Sequence, residues 1–83
     1  MKFNVISRKK LNDETLEMVL FTPKEEVIVL GYILESFEGW FNYSTIDSKK
    51  QLFRVRIMKD YIDSAEELIA FLKDWSPPAK NFY

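Results

Sequence analysis

Two glutamates, Glu35 and Glu38, stand three residues apart in the stretch "ESFEGWFNYSTID", whose last residue is Asp47. A pair of carboxylates can transfer protons in general acid–base catalysis. The same spacing also suits the solvated side of a helix end, and that interpretation requires no function. Because a helix C-terminus disfavours negative charge, Glu38 is retained as a candidate binding residue.

The other residue types exclude most catalytic chemistry. The chain has no histidine and no cysteine, so it lacks thiol nucleophiles and the usual ligands of zinc, iron and copper. It also lacks the side chain best suited to proton transfer near neutral pH. Its only glycines are Gly31 and Gly39, too few for a glycine-rich phosphate loop. We therefore predict that the protein is not an enzyme and has no catalytic residue, metal or cofactor.

Length and composition indicate one small folded domain. The chain has 83 residues, of which 47% are hydrophobic and 16% aromatic, and this composition is unlike that of a disordered segment. The formal net charge of −1 gives no general attraction to nucleic acid or anionic membranes. No apolar stretch has the length of a membrane span, and the N-terminus lacks a secretory signal. We predict a cytoplasmic protein with no membrane partner.

The clearest helix pattern is "TPKEEVIVLGYILESFEG", residues 22–39. Thr22 and Glu25 have the spacing of a capping box, and Gly39 suits the stop position after the helix. Gly31 lies inside the helix, where glycine is unfavourable, which indicates close packing on a sheet or a ligand contact. The apolar residues that recur on one predicted side are Val27, Leu30, Leu34 and Phe37.

A second helix is predicted in "DSAEELIAFLKDW", residues 63–75. Its capping box is formed either by Ser64 and Glu67 or, shifted by one residue, by Asp63 and Glu66. The predicted inner stripe consists of Ala65, Leu68, Leu72 and Trp75. The prolines that follow Ser76 cannot continue a helix, so we predict one domain over 1–76 and a short C-terminal tail over 77–83.

Four segments have the composition or alternation of strands: "FNVIS", "LEMVLF", "WFNYSTI" and "QLFRVRIM". Together with the helices they predict an α+β fold of the ferredoxin-like, split βαβ type, with about four mainly antiparallel strands and two helices on one face. The edge strand beside 14–21 is assigned to residues 2–7, in a hairpin. The alternative is that the C-terminal tail supplies it.

Alternation along the last strand separates two faces of this sheet. Phe53, Val55 and Ile57 are predicted to face the helices, so Arg54 and Arg56 lie on the open face, meaning the face that no helix covers. The apolar residues predicted to share the open face are Val19, Phe21, Trp40, Leu52 and Met58. A face that combines these apolar side chains with arginines is typical of an interaction surface.

A helix ending in Glu35-x-x-Glu38-Gly39 and a strand ending in Thr45-x-Asp47 resemble a small bacterial family of domains of unknown function. The resemblance covers about residues 14–75, and the layout is also similar to that of ACT-type regulatory domains. It implies a fold and no established activity. Glu38, Thr45 and Asp47 are the candidate residues for a small-ligand sensor at the junction of sheet and helix.

These patterns leave three functional hypotheses open. The leading one is a small interaction or regulatory module, a homodimer that self-associates through its open face, with a protein partner as a further possibility. The second is single-stranded nucleic-acid binding by Trp40, Arg54 and Arg56, which the net charge and the missing glycine of the RNA-recognition signature disfavour. The third is the small-ligand sensor.

Overall fold

Four strands and two α-helices make up the part of the chain that the computed structural model describes, residues 1–76. The strands are β1 (Asn4–Lys10), β2 (Leu16–Phe21), β3 (Phe41–Asp47) and β4 (Leu52–Ile57). The helices are α1 (Val27–Glu35) and α2 (Ile62–Asp74), and short 3-10 turns precede them at Lys24–Glu26 and Lys59–Tyr61. The predicted tail, 77–83, lies outside the described residues.

The strands form one sheet in the order β1-β2-β4-β3, and all neighbours are antiparallel. Since β4 lies between β2 and β3, those two strands run parallel, and α1 connects them. This is the predicted ferredoxin-like, split βαβ arrangement. The hairpin of β1 and β2 is also confirmed, and because β2 is paired on both sides, the alternative that the tail lies beside it is wrong.

The core lies on one face of the sheet. Alternate residues of β2 and β4 are buried there: Leu16, Met18, Leu20, Phe53, Val55 and Ile57. Both helices cover this face. Arg8, which lies opposite the buried Met18, forms an ion pair with Glu66 of α2, and Tyr43, opposite the buried Val55, lies against α1. The predicted orientation of Arg54 and Arg56 away from the helices follows from the same alternation and is confirmed.

The glycine inside α1 is explained by close packing. A Cβ atom added to Gly31 would lie 3.3 Å from the hydroxyl oxygen of Tyr43, tighter than ordinary van der Waals contact. Any larger side chain would push α1 away from β3, so the packing interpretation of Gly31 is the one that the structure supports.

The start of the first helix differs from the prediction. No side chain caps either the 3-10 turn or α1, and Pro23, in an extended conformation, precedes the turn. Thr22 instead prolongs β2, since its N–H donates to the carbonyl of Gln51 at 2.8 Å. The predicted capping box of Thr22 and Glu25 is therefore wrong, because the sheet holds Thr22 where its hydroxyl cannot reach the helix.

The end of the same helix also comes earlier than predicted. The last residue of α1 is Glu35. The hydroxyl of the next residue, Ser36, donates to the carbonyl of Ile33 at 2.6 Å. Gly39 does have the left-handed conformation that favours glycine, with φ of 85°. It uses this conformation in the turn before β3 and not at the helix end, so its assignment as the stop residue of the helix is wrong.

The second helix begins one residue before the predicted segment, and no side chain caps it. Both versions of its capping box are wrong, since the 3-10 turn ending at Tyr61 leads directly into Ile62. Its buried residues are Ala65, Ile69 and Leu72, while Leu68 and Trp75 are partly buried against the core. The predicted stripe is thus correct in direction but omits Ile69.

Residues before β1 anchor the two helices to each other. Phe3 is fully buried in the core. The N–H of Lys2 donates to both carboxylate oxygens of Glu26, each at 2.9 Å, next to the start of α1. The amine of Met1 donates to the carbonyls of Leu72 and Lys73, at the end of α2.

Candidate functional site

The open face consists of three rows of side chains that cross all four strands. Residues directly opposite each other in antiparallel strands share a face, so the registers define each row from β1 to β3. The first row is Asn4, Phe21, Leu52 and Asp47. The second row is Ser7, Val19, Arg54 and Ser44. The third row is Lys9, Glu17, Arg56 and Asn42.

Arg54 and Arg56 are exposed on this face, as predicted. They border a shallow hollow of about 280 Å³ together with Asn42 and Ser44, and Arg54 donates to the hydroxyl of Ser44 at 3.4 Å. Most of the charges of the open face thus lie at one end of the sheet, and its apolar side chains, Val19, Phe21 and Leu52, lie towards the other.

Trp40 does not belong to the open face, contrary to the prediction. Its ring stacks on Tyr61, with centroids 5.2 Å apart, and lies 4.8 Å from the ring of Phe37. Both partners come from segments next to the helices, and Trp40 packs against the core. The reason is that β3 starts at Phe41, so Trp40 belongs to the preceding turn and strand alternation does not fix its direction. The nucleic-acid hypothesis loses its stacking residue.

Glu35 and Glu38 have different surroundings in the structure. Glu35 is the last residue of α1, and its carboxylate accepts a hydrogen bond from the hydroxyl of Tyr43. Glu38 is exposed in the turn after the helix. Glu38 lies two residues beyond the C-cap, Ser36, so the helix dipole acts on it more weakly than on a residue in the last turn, which was the reason for its candidacy.

The environment of Tyr43 affects its titration. The hydrogen bond to Glu35, with smaller effects from burial and from the negative charge of Glu35, raises the pKa of Tyr43 above its ordinary value. A group whose folded-state pKa is raised contributes stability that is complete below its unfolded pKa and is lost as the pH rises through the folded value.

We expect Glu35→Ala to lower the pH at which Tyr43 ionises, because the substitution removes both the acceptor and the charge. Absorbance of tyrosinate in the near ultraviolet, followed against pH, measures the midpoint. The Tyr43→Phe variant identifies which part of the titration belongs to this side chain. An unchanged midpoint in Glu35→Ala would contradict the role assigned to Glu35.

Thr45 and Asp47 lie at the far end of β3 from Glu38, so the three predicted ligand residues do not form one site. Asp47 has a local role: its carboxylate accepts the N–H groups of Lys49 and Lys50 at 3.0 and 3.1 Å, which stabilises the turn between β3 and β4. Thr45 lies opposite Phe53 and lines a pocket.

This pocket, of about 470 Å³, lies between the β2–α1 connection and the β3–β4 turn. Its volume is within the range of small-molecule sites. The charged residues that line it are Lys24 and Lys49. The uncharged residues that line it are Thr22, Val27, Ile28, Thr45, Ser48, Gln51, Leu52 and Phe53. We call it the connection pocket.

Sequence reasoning placed Thr45 near a ligand but missed the connection pocket. Its residues come from three separate segments, and no motif links them. The segment that could have indicated the pocket is "FTPKEE", at the end of β2. In a split βαβ fold the loop after this strand lies beside the turn that joins the next two strands, here β3 and β4.

Neither a metal-binding cluster nor a membrane-spanning helix is present in the described residues. Within 1–76, no group of three or more acidic side chains is placed to hold a metal ion. No helix in that part of the chain is long and apolar enough to cross a membrane. The cytoplasmic location stays a prediction.

The order of the strands in the sheet and the positions of the two helices define a small ferredoxin-like α+β domain. The chain belongs to the family described as a domain of unknown function, DUF4911, whose model matches residues 22–74. This confirms the predicted membership in a family of unknown function, over a slightly shorter range than 14–75. No curated protein and no solved structure matches the chain. The match begins at Thr22, so it includes every residue of the connection pocket and excludes β1 and β2.

Proposed function

We propose that this chain is a small, non-enzymatic interaction or regulatory module that self-associates as a homodimer through its open face. The observation that carries the proposal is the order of side chains across that face. The first and third rows are complementary to themselves when one copy is read from β1 to β3 and the other from β3 to β1, since Phe21 then meets Leu52 and Glu17 meets Arg56. The second row places Val19 against Arg54, so it adds no complementary pair at its centre.

A two-fold axis parallel to the strands brings out this complementarity. Such an axis places β2 of one copy over β4 of the other and keeps each row at its own height. Glu17 then faces Arg56 of the second copy, and Arg56 faces the second Glu17. Isologous pairing of this kind is the commonest symmetry of soluble oligomers, and opposite charges across an interface fix its register.

The apolar end of the open face pairs in the same way. Phe21 of one copy faces Leu52 of the other, and the reverse contact repeats it. Phe21 is 37% exposed although it lies in a strand, so a second sheet would remove further apolar area from water. Two sheets that pack face to face in this manner form a sandwich about 10 Å apart.

We expect the wild-type chain to have the mass of a dimer, and Phe21→Lys to weaken dimerisation by roughly tenfold or more, as loss of a buried aromatic anchor does. Sedimentation equilibrium over a range of protein concentrations measures both. The matched control is Phe71→Lys, because Phe71 is 61% exposed on α2 and lies away from the open face. A wild-type chain that stays monomeric at high concentration would refute the proposal.

Exchanging the charges of Glu17 and Arg56 tests the position of the proposed two-fold axis. Arg56→Glu sets two acidic residues against each other across the interface and is expected to weaken the dimer. Combining it with Glu17→Arg restores opposite charges both within each chain and between chains, so the double variant should recover dimerisation. Failure of this recovery, with both variants folded by circular dichroism, would exclude this register.

A further inference from the structure

The connection pocket has one sign of charge. Lys24 and Lys49, its two charged lining residues, are both cationic, and no carboxylate lines it. The pocket is therefore suited to a negatively charged group.

Thr22 provides the independent observation. Its side chain is fully buried and lines the pocket, yet its hydroxyl oxygen has no hydrogen-bond partner. Buried polar groups in folded proteins are nearly always hydrogen-bonded, so an exception calls for an explanation. A hydroxyl without a protein partner, in the wall of a cationic pocket, can donate to a bound anion.

Besides Thr22 and the two lysines, the wall has three polar residues, Thr45, Ser48 and Gln51, and four apolar ones, Val27, Ile28, Leu52 and Phe53. Of the apolar ones, Phe53 belongs to the core and Val27 packs against it, whereas Leu52 belongs to the open face. A ligand that is only an inorganic ion would leave this apolar surface uncovered, whereas an organic body would cover it. Small-molecule sites commonly combine apolar walls with polar groups that fix the orientation of the ligand.

We propose that the connection pocket binds a small organic anion, with its carboxylate or phosphate group at Thr22, Lys24 and Lys49 and its apolar body against Val27, Leu52 and Phe53. The hollow at Arg54 and Arg56 is the competing anion site. Its arginines are exposed and Arg54 already has a partner in Ser44, so the hollow has no equivalent of the unpartnered Thr22 hydroxyl.

Nuclear magnetic resonance titration of the full chain tests the proposal. Phenylacetate and phenyl phosphate supply the two anionic groups on one apolar body, phenylacetamide is the uncharged match, and inorganic phosphate is the group without the body. We expect saturable shifts from both aromatic anions at the amides of 22–28 and 45–53, with weaker binding of the other two. The tighter of the two aromatic anions identifies the preferred group.

Substitutions locate the contact. Thr22→Val is expected to weaken phenylacetate or phenyl phosphate by about 10- to 100-fold, as loss of a hydrogen bond to a charged group does, whereas Thr22→Ser, which keeps the hydroxyl, should bind like the wild type. Lys49→Ala should also weaken binding, and Lys50→Ala, in the same turn but outside the pocket wall, should not.

Three results would overturn the proposal: no saturable shift with either aromatic anion, equal affinity for phenylacetamide, or shifts confined to Asn42, Ser44, Arg54 and Arg56. The last result would place the anion on the open face.

Discussion

Replacing Phe3 with alanine is expected to lower the free energy of unfolding by about 3–5 kcal/mol, the usual effect of deleting a buried aromatic ring. Phe3 has none of its surface exposed. Its ring lies 5.3 Å from the ammonium group of Lys73, which also donates to the carbonyl of Phe3. Small domains are stable by only about 5–15 kcal/mol, so this one change removes a large part of the total. Urea denaturation followed by circular dichroism measures it.

Ile6→Ala is the matched control, because Ile6 lies in the same N-terminal segment but is 55% exposed. Its effect should stay within about 0.5 kcal/mol, as is usual for surface positions. If Phe3→Ala were equally mild, the packing of residues 1–3 between the helices would be wrong.

Phe3 also marks a limit of sequence reasoning. The segment "FNVIS" has a single aromatic among mixed residues, so no periodicity identifies Phe3 as a core residue. Its burial depends on the ends of both helices, through Glu26 and Leu72. The strand was predicted over 2–7 and is observed over Asn4–Lys10. Residues 1–3 therefore precede the strand and pack against the helices.

Long alternating segments were predicted well for a physical reason. In β4 the alternation of Phe53, Val55 and Ile57 with Arg54 and Arg56 leaves one orientation in which the apolar side is buried, since a slip of one residue would bury the arginines. That constraint also fixed the position of the helices and hence the open face.

Helix ends were predicted poorly because capping competes with other contacts. Thr22 has the right type and spacing for an N-cap, but a hydrogen bond from its N–H to Gln51 keeps it in the sheet. The predicted face of Trp40 was wrong for a related reason. Its packing on Phe37 and Tyr61 outweighs the alternation of the strand that follows it.

The two proposals meet at Leu52, which lies opposite Phe21 on the open face and also lines the connection pocket. Substitution of Leu52 would therefore affect both and separate neither. Phe21→Lys changes only the dimer proposal, and Thr22→Val changes only the pocket. These adjacent residues allow each proposal to fail without the other.

Thr22→Val is expected to raise the free energy of unfolding of the ligand-free chain by about 1–3 kcal/mol. The cause is the hydroxyl of Thr22, which is buried without a partner and so carries the full desolvation penalty of a polar group. Valine has the same branched shape and the same preference for extended backbone, so the packing around the residue is retained. A gain of 1 kcal/mol corresponds to roughly 4–8 °C in Tm for a domain of this size.

Thr45→Val is the control for this prediction, since Thr45 lines the same pocket but is exposed. Its effect should lie within about 0.5 kcal/mol. A loss of stability in Thr22→Val would mean that the hydroxyl has a partner in the folded chain, and would remove the main support for the anion site.

The stability difference between Thr22→Val and the wild type should also depend on ligand. An anion that binds only the folded state stabilises it by about 2.7 kcal/mol at one hundred times its Kd. The wild type gains this in full, whereas the variant, which binds more weakly, gains less at the same concentration. The advantage of Thr22→Val should therefore be largest without ligand and should shrink as phenylacetate or phenyl phosphate is added, in the manner of a residue retained for binding at the expense of stability.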